Sequence, residues 1–151
     1  NFLLTILNLL LKNKEIKVVN DQIGSPTSSF SLAYICWKII YLKNYKLIFN
    51  KKSHRILHWQ DNGKTNWYEI ALNINNLSKE IGLLKGNTRI IPIKTSQYPS
   101  LAKRPSYSLL DTNLTKRLLK YKGKHWKVTL KEVLEKIQID NKSSSSIKSG
   151  L

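Results

Sequence analysis

The sequence predicts an α/β fold. Apolar residues recur at helical spacing in several stretches, and short β-branched runs stand between them. The breaks are built from Gly, Pro, Asn and Asp, which are turn formers. With 151 residues, 41% of them hydrophobic, the chain can bury one real core. The strands are few and widely spaced, so they read as additions to a sheet whose main part lies elsewhere.

Phe2, Leu3, Ile6, Leu7 and Leu10 place one apolar stripe on a helix over residues 2–12. Ile16 to Val19 is a β-branched run and predicts a strand. Asn20 to Thr27 is a loop. A second helix follows, capped near Thr27 or Ser28, with Phe30, Ala33, Cys36 or Trp37, and Ile40 as its buried face. Lys43 to Ser53 is a lysine-rich connection around the small apolar insert Leu47 to Phe49, and Arg55 to Trp59 alternates enough to be a strand. After a turn at Asp61 to Lys64, Asn66 and Glu69 have capping-box spacing. Trp67, Ile70, Ala71 and Ile74 then form the buried face of a helix that Gly82 and Gly86 end. Arg89 to Ile93 predicts an edge strand, because Pro92 cannot donate to a ladder. Asn113 to Leu119 is a short helix with Asp111 as its cap, and Trp126, Leu130, Val133, Leu134 and Ile137 mark the last one. Residues 1–139 are one unit. Residues 140–151, rich in serine and lysine, read as a disordered tail.

Composition excludes several classes. No apolar run reaches the length of a membrane span. Phe2 to Leu11 has no basic residue before it and no small-residue cleavage site after it, so it is not a signal peptide. The single Cys36 excludes an internal disulfide and a multi-cysteine zinc site, and a reduced cytoplasmic setting is expected. The net charge of +17 invites a nucleic-acid reading. Against it, the basic residues are nearly all lysine, scattered rather than gathered in a stripe, as an AT-rich coding sequence produces. The chain contains no Met and opens on Asn1 inside an apolar helical pattern, which reads as a piece of a longer protein.

The most informative segment is Thr95 to Asp111. Pro99 and Pro105 push Tyr98 and Arg104 toward extended conformations. Such a segment must lie against something, and it presents Lys103 and Arg104 side by side, as a phosphate or carboxylate requires. Elsewhere Tyr34 and Lys38 have Tyr-x-x-x-Lys spacing on one helix face. With seven tyrosines and this many lysines, such a match arises by chance.

Four segments together resemble one family. They are Val-Val-Asn-Asp-Gln-Ile-Gly-Ser-Pro-Thr ending at Thr27, and His-Trp-Gln-Asp-Asn-Gly-Lys-Thr-Asn-Trp-Tyr-Glu-Ile-Ala ending at Ala71. The others are Tyr-Pro-Ser-Leu-Ala-Lys-Arg-Pro-Ser-Tyr-Ser-Leu-Leu-Asp ending at Asp111, and His-Trp-Lys-Val-Thr-Leu ending at Leu130. Their order and spacing over residues 1–137 resemble the C-terminal half of dTDP-4-dehydrorhamnose reductases, which are extended short-chain dehydrogenase/reductases. The resemblance implies the C-terminal substrate-binding portion of an extended Rossmann-type reductase, without the N-terminal dinucleotide-binding half. The family reaction is hydride transfer from NADPH to the C4 ketone of dTDP-4-dehydro-L-rhamnose, in polysaccharide precursor biosynthesis. The family's Gly-rich loop and catalytic Tyr-x-x-x-Lys belong to that N-terminal half, so no catalytic or cofactor-binding residue is assigned here, and Tyr34 and Lys38 fall where the family has no catalytic residue. The fragment alone is expected to be inactive.

By the same resemblance Gln22, Gly24, Ser25 and Thr27 contact substrate, Arg104 and Lys103 hold its diphosphate, and Ser108 hydrogen-bonds beneath. Ser31 stands where family members usually carry an acid. The family can use Mg²⁺, but no motif identifies ligands for it. The implied partners are a dTDP-sugar and the N-terminal half, with homodimerisation left open and neither nucleic acid nor membrane involved. The competing readings are a basic nucleic-acid-binding module and a truncated product without function. His58 and His125, each before a Trp, read as packed or capping histidines. Trp67 and Trp126 read as core.

Overall fold

The computed structural model describes residues 1–42, 56–100 and 102–148, with side chains to residue 141. Helix α1 (Phe2–Lys12) starts at Asn1, whose side-chain oxygen accepts from the Leu4 amide at 3.0 Å. It buries Ile6, Leu7 and Leu10, the stripe that its spacing sets. Strand β1 (Glu15–Val19) pairs in parallel with β4 (Arg89–Ile93), in register from Glu15 opposite Arg89 to Val19 opposite Ile93. A parallel pair needs a crossover. Here the crossover carries α2 (Ser29–Ile40) and α3 (Trp67–Glu80). The Asn66 side chain accepts from the Glu69 amide at 2.9 Å to start α3, and Gly82 follows its end.

The core forms where α3 lies between α1, the β1–β4 pair and α5 (Trp126–Lys148). Ala71, Ile74 and Leu134 are wholly buried there, with Val18, Ile70 and Trp126 around them. Burying such a side chain contributes about 1.5–3 kcal/mol relative to leaving it in water. A smaller cluster joins Ile35 of α2, Trp59 and Leu119 of α4 (Asn113–Leu119). A second, minimal sheet pairs β2 (Ile23–Gly24) antiparallel with β3 (Thr65–Asn66). No helix among the described residues is long and apolar enough to cross a membrane.

Two expectations are corrected. Helix α2 begins at Ser28 as expected, but it buries Ile35 rather than the face from Phe30 to Ile40. Phe30, Trp37 and Ile40 are more than half exposed, and Cys36 is exposed. Those rings meet surface partners instead: the Lys136 ammonium lies 4.2 Å from the Phe30 centroid, and Trp37 stacks on Tyr41 at 5.8 Å. Residues 56–59 form no strand; Trp59 is held by stacking on Tyr121 at 5.8 Å and by burial, not by a ladder. Arg55 and the Leu47–Phe49 insert lie outside the described residues. Beyond residue 139 the backbone is helical to Lys148. A helix already nucleated by a packed first half adds further turns at little cost.

Candidate functional site

The loop after β1 and the proline segment after β4 meet, because the parallel pairing brings both strand ends to one edge. β2 is flanked by β3 and by the proline segment: the Ile23 amide donates to the Ser106 carbonyl at 2.8 Å, and the Ser108 amide donates to the Ile23 carbonyl at 2.9 Å. The extended segment that Pro105 imposes thus finds its backbone partners. Gly24 makes the approach feasible, since a Cβ there would stand 2.9 Å from the Ser108 hydroxyl. The glycine serves a contact within the chain as well as any contact with a ligand.

These segments enclose a cavity of about 160 Å³. Gln22, Gly24, Ser25, Arg104 and Ser108 line it, so five of the seven expected substrate residues converge, joined by Thr65, Asn66 and Trp67. A second cavity, about 220 Å³ and walled by Phe2, Ile6, Leu9, Val18 and Tyr98, shares Gln22, Trp67 and Arg104 with the first. Lys103 and Thr27 line neither. The Thr27 hydroxyl instead accepts from the Asp61 amide at 3.4 Å.

Ser25, Ser108 and Gln22 are already oriented. The Ser25 hydroxyl donates to the Asp61 carbonyl at 2.7 Å, and the Ser108 hydroxyl donates to the Ile23 carbonyl at 3.1 Å. With those protons committed, both oxygens can offer a ligand only lone pairs. Buried Gln22 uses both ends of its amide: Nε2 donates to the Thr95 hydroxyl at 3.1 Å, and Oε1 accepts from the Trp67 indole at 3.0 Å. Arg104 is exposed, and its guanidinium remains available to an anion at the boundary of both cavities.

Beneath the loop lies Asp61, fully buried. Its Oδ2 accepts from the Ser28 amide at 3.1 Å and the Thr129 hydroxyl at 2.8 Å, which joins the starts of α2 and α5. Asp21 caps the turn that starts the proline segment. Its carboxylate accepts from the Thr95 hydroxyl at 2.6 Å and from the Thr95 amide at 3.0 Å. The Thr95 hydroxyl, and then its amide, hold the Asp21 carboxyl below its ordinary value of 3.8. A lowered folded value means that the contribution of Asp21 is in place above the ordinary value and is lost as pH falls through the lowered one. The Thr95 amide resonance is therefore expected to titrate with a midpoint below 3.8. A midpoint at or above that value would show that the bond does not persist in solution.

Tyr34 and Lys38 line neither cavity; the Lys38 ammonium lies over the ring faces of Tyr34 and Tyr121, at 5.4 and 5.6 Å. His58 and His125 are exposed rather than packed, and His125 Nδ1 accepts from the Lys127 amide in the first turn of α5. Among the described residues no three His, Cys, Asp or Glu side chains group as a metal site. Sequence reasoning missed Asp21, Asp61 and Thr95 as organising residues, and Trp67, which packs against the core as expected, also lines both cavities. The available signal was the position of Asp21 and Asp61 in turns beside capping hydroxyls.

A family model described as the RmlD substrate binding domain matches residues 1–139. The spore coat polysaccharide biosynthesis protein SpsK of Bacillus subtilis is 33% identical over 137 residues, which cover 89% of this chain and 42% of that protein. The dTDP-4-dehydrorhamnose reductase of Escherichia coli K12 is 28% identical over 138 residues, covering 91% of this chain and 44% of that protein. Among solved structures, a dTDP-4-dehydrorhamnose reductase from Clostridium acetobutylicum superposes with a TM-score of 0.76 at 33% identity, covering 91% of this chain and 44% of that one. The Bacillus anthracis reductase, solved in complex with NADP, has a TM-score of 0.69 at 28% identity and is covered over 41% of its length. The chain thus spans less than half the length of the relatives it matches.

Proposed function

Because the chain belongs to the RmlD substrate binding domain family and corresponds to the C-terminal part of dTDP-4-dehydrorhamnose reductases, we propose that it holds the dTDP-sugar on which such an enzyme acts. The supporting observation is the convergence of Gln22, Gly24, Ser25, Arg104 and Ser108 on one cavity. The chemistry of the walls divides the work. Arg104 offers a planar fork of donors, which suits a diphosphate. Ser25 and Ser108 present only lone pairs, which suit the hydroxyl donors of a sugar and disfavour a phosphate beside them. Trp67 supplies an apolar wall for a ring.

The reaction proposed for the whole enzyme is NADPH-dependent reduction of dTDP-4-dehydro-L-rhamnose to dTDP-L-rhamnose. The residues of this chain do not fit the dinucleotide. β1 leads into Asn20, Asp21 and Gln22 rather than a Gly-rich turn, and the carboxylate of Asp21, already bonded to Thr95, would repel a pyrophosphate. This chain therefore binds and orients substrate, and residues 1–139 are its working unit.

Calorimetric titration with dTDP is expected to show binding that Arg104→Ala weakens tenfold to about a hundredfold, the scale of a charge-assisted bond of about 1.5–3 kcal/mol. Lys103→Ala should change it far less. Incubation of the chain with NADPH and dTDP-4-dehydro-L-rhamnose should give no turnover. Equal dTDP affinity in wild type and Arg104→Ala would overturn the assignment of Arg104, and robust turnover would overturn the division of labour.

A further inference from the structure

Four side chains form one directed hydrogen-bond chain from the cavity wall to the edge of the sheet. The Trp67 indole donates to Gln22 Oε1 at 3.0 Å, Gln22 Nε2 donates to Thr95 Oγ1 at 3.1 Å, and Thr95 Oγ1 donates to Asp21 Oδ1 at 2.6 Å. The direction is unique. An indole only donates, so the carbonyl end of Gln22 must face Trp67; its amide then needs an acceptor, and the single proton of Thr95 goes to the carboxylate, which only accepts when ionised. The chain joins the loop after β1, the turn after β4 and the first residue of α3. Trp67 and Gln22 wall both cavities, whereas Asp21 lines neither.

We propose that Asp21 and Thr95 are positioning residues that set, through Gln22, the orientation of the Trp67 indole against a bound sugar nucleotide. Gln22 acts as the transmitting link, because each end of its amide is tied to the scaffold, while its second N–H and second lone pair remain for a ligand. Without the anchor at Asp21, the Thr95 hydroxyl can rotate and accept or donate elsewhere. Gln22 then loses the reason to hold one amide orientation, and the Trp67 ring loses its fixed tilt beside Arg104. The inference rests on reading this cavity as the sugar-nucleotide site, and its test separates the two.

The experiment follows the Trp67 indole N–H resonance, assigned through Trp67→Phe, together with dTDP affinity. Asp21→Ala and Thr95→Val are each expected to move that resonance upfield and to weaken dTDP binding about tenfold, the effect of one lost charge-assisted bond. Thr95→Ser, which keeps the hydroxyl, should retain both properties. An unmoved Trp67 resonance in folded Asp21→Ala, or an affinity for dTDP equal to that of the wild type, overturns the coupling. If the unaltered chain does not bind dTDP, the sugar-nucleotide reading fails, and the positioning role fails with it even where the resonance moves. Upfield movement in Thr95→Val but not in Asp21→Ala would end the chain at Thr95 and remove Asp21 from the proposal.

Discussion

Replacing Asp61 with alanine is expected to destabilise the chain by about 3 kcal/mol, since two charge-assisted hydrogen bonds of about 1.5–3 kcal/mol each disappear and the Thr129 donor stays buried. The donors are the Ser28 amide at the start of α2 and the Thr129 hydroxyl in the first turn of α5. Asp61 is fully buried, so water cannot replace it easily. For a domain of this size the loss corresponds to a fall in Tm of about 6–12 °C. Urea unfolding followed by circular dichroism measures it. Asp61→Asn keeps an acceptor at the same place and should lose less. Thr129→Val, which removes one of the two donors together with its bond, should cost about 1 kcal/mol. A midpoint for Asp61→Ala within error of the wild type would mean that the two helix starts are held together by packing alone.

Gly63→Ala is the second large effect, expected at about 2–4 kcal/mol from left-handed backbone strain and overpacking together. Gly63 has a φ of +100°, and an added Cβ would stand 2.7 Å from Trp126 Cδ1 and against the His125 ring. His125 is exposed and can swing away, but Trp126 is buried in the main core and cannot. The clash falls where the Asn62 carbonyl accepts from the Trp126 amide at 2.8 Å, the junction that docks α5 on the turn. Gly86→Ala is the control: a Cβ there meets nothing within 4 Å, and its midpoint should hardly move. Equal midpoints for the two variants would refute the close packing of the turn on Trp126.

Local pattern made much of this fold legible. The stripe of α1, the β-branched run of β1, the Asn66 cap of α3 and the apolar spacing of α5 each depend on residues within a turn or two of one another. Where the reading went astray, the deciding contact was remote or lay outside the residue pattern. α2 has enough apolar residues for several buried faces, and its orientation was set by Trp59 and Leu119, which choose Ile35. The run before Trp59 alternates like a strand, yet among the described residues no partner strand lies beside residues 56–59, and no ladder forms there.

The candidate site divides in the same way. Turn chemistry and paired cations mark Gly24, Ser25 and Arg104 in sequence, because conformational permissiveness and charge belong to single residues. Lys103 and Arg104 look equivalent as neighbours, but in an extended segment successive side chains point to opposite sides, and Arg104 lines the cavity whereas Lys103 does not. Asp21 and Asp61 carry no such mark, since each draws its role from donors contributed by other elements. By itself the sequence determined the five described helices and the strands β1 and β4, the caps of α2 and α3, and that one rigid proline segment carries a cation. Only the tertiary structure decided which face of α2 is covered, which of the two cations meets the loop, and that Gln22 links Trp67 to Thr95. Those outcomes depend on hydrogen bonds and packing between residues far apart in the chain, which no local period encodes.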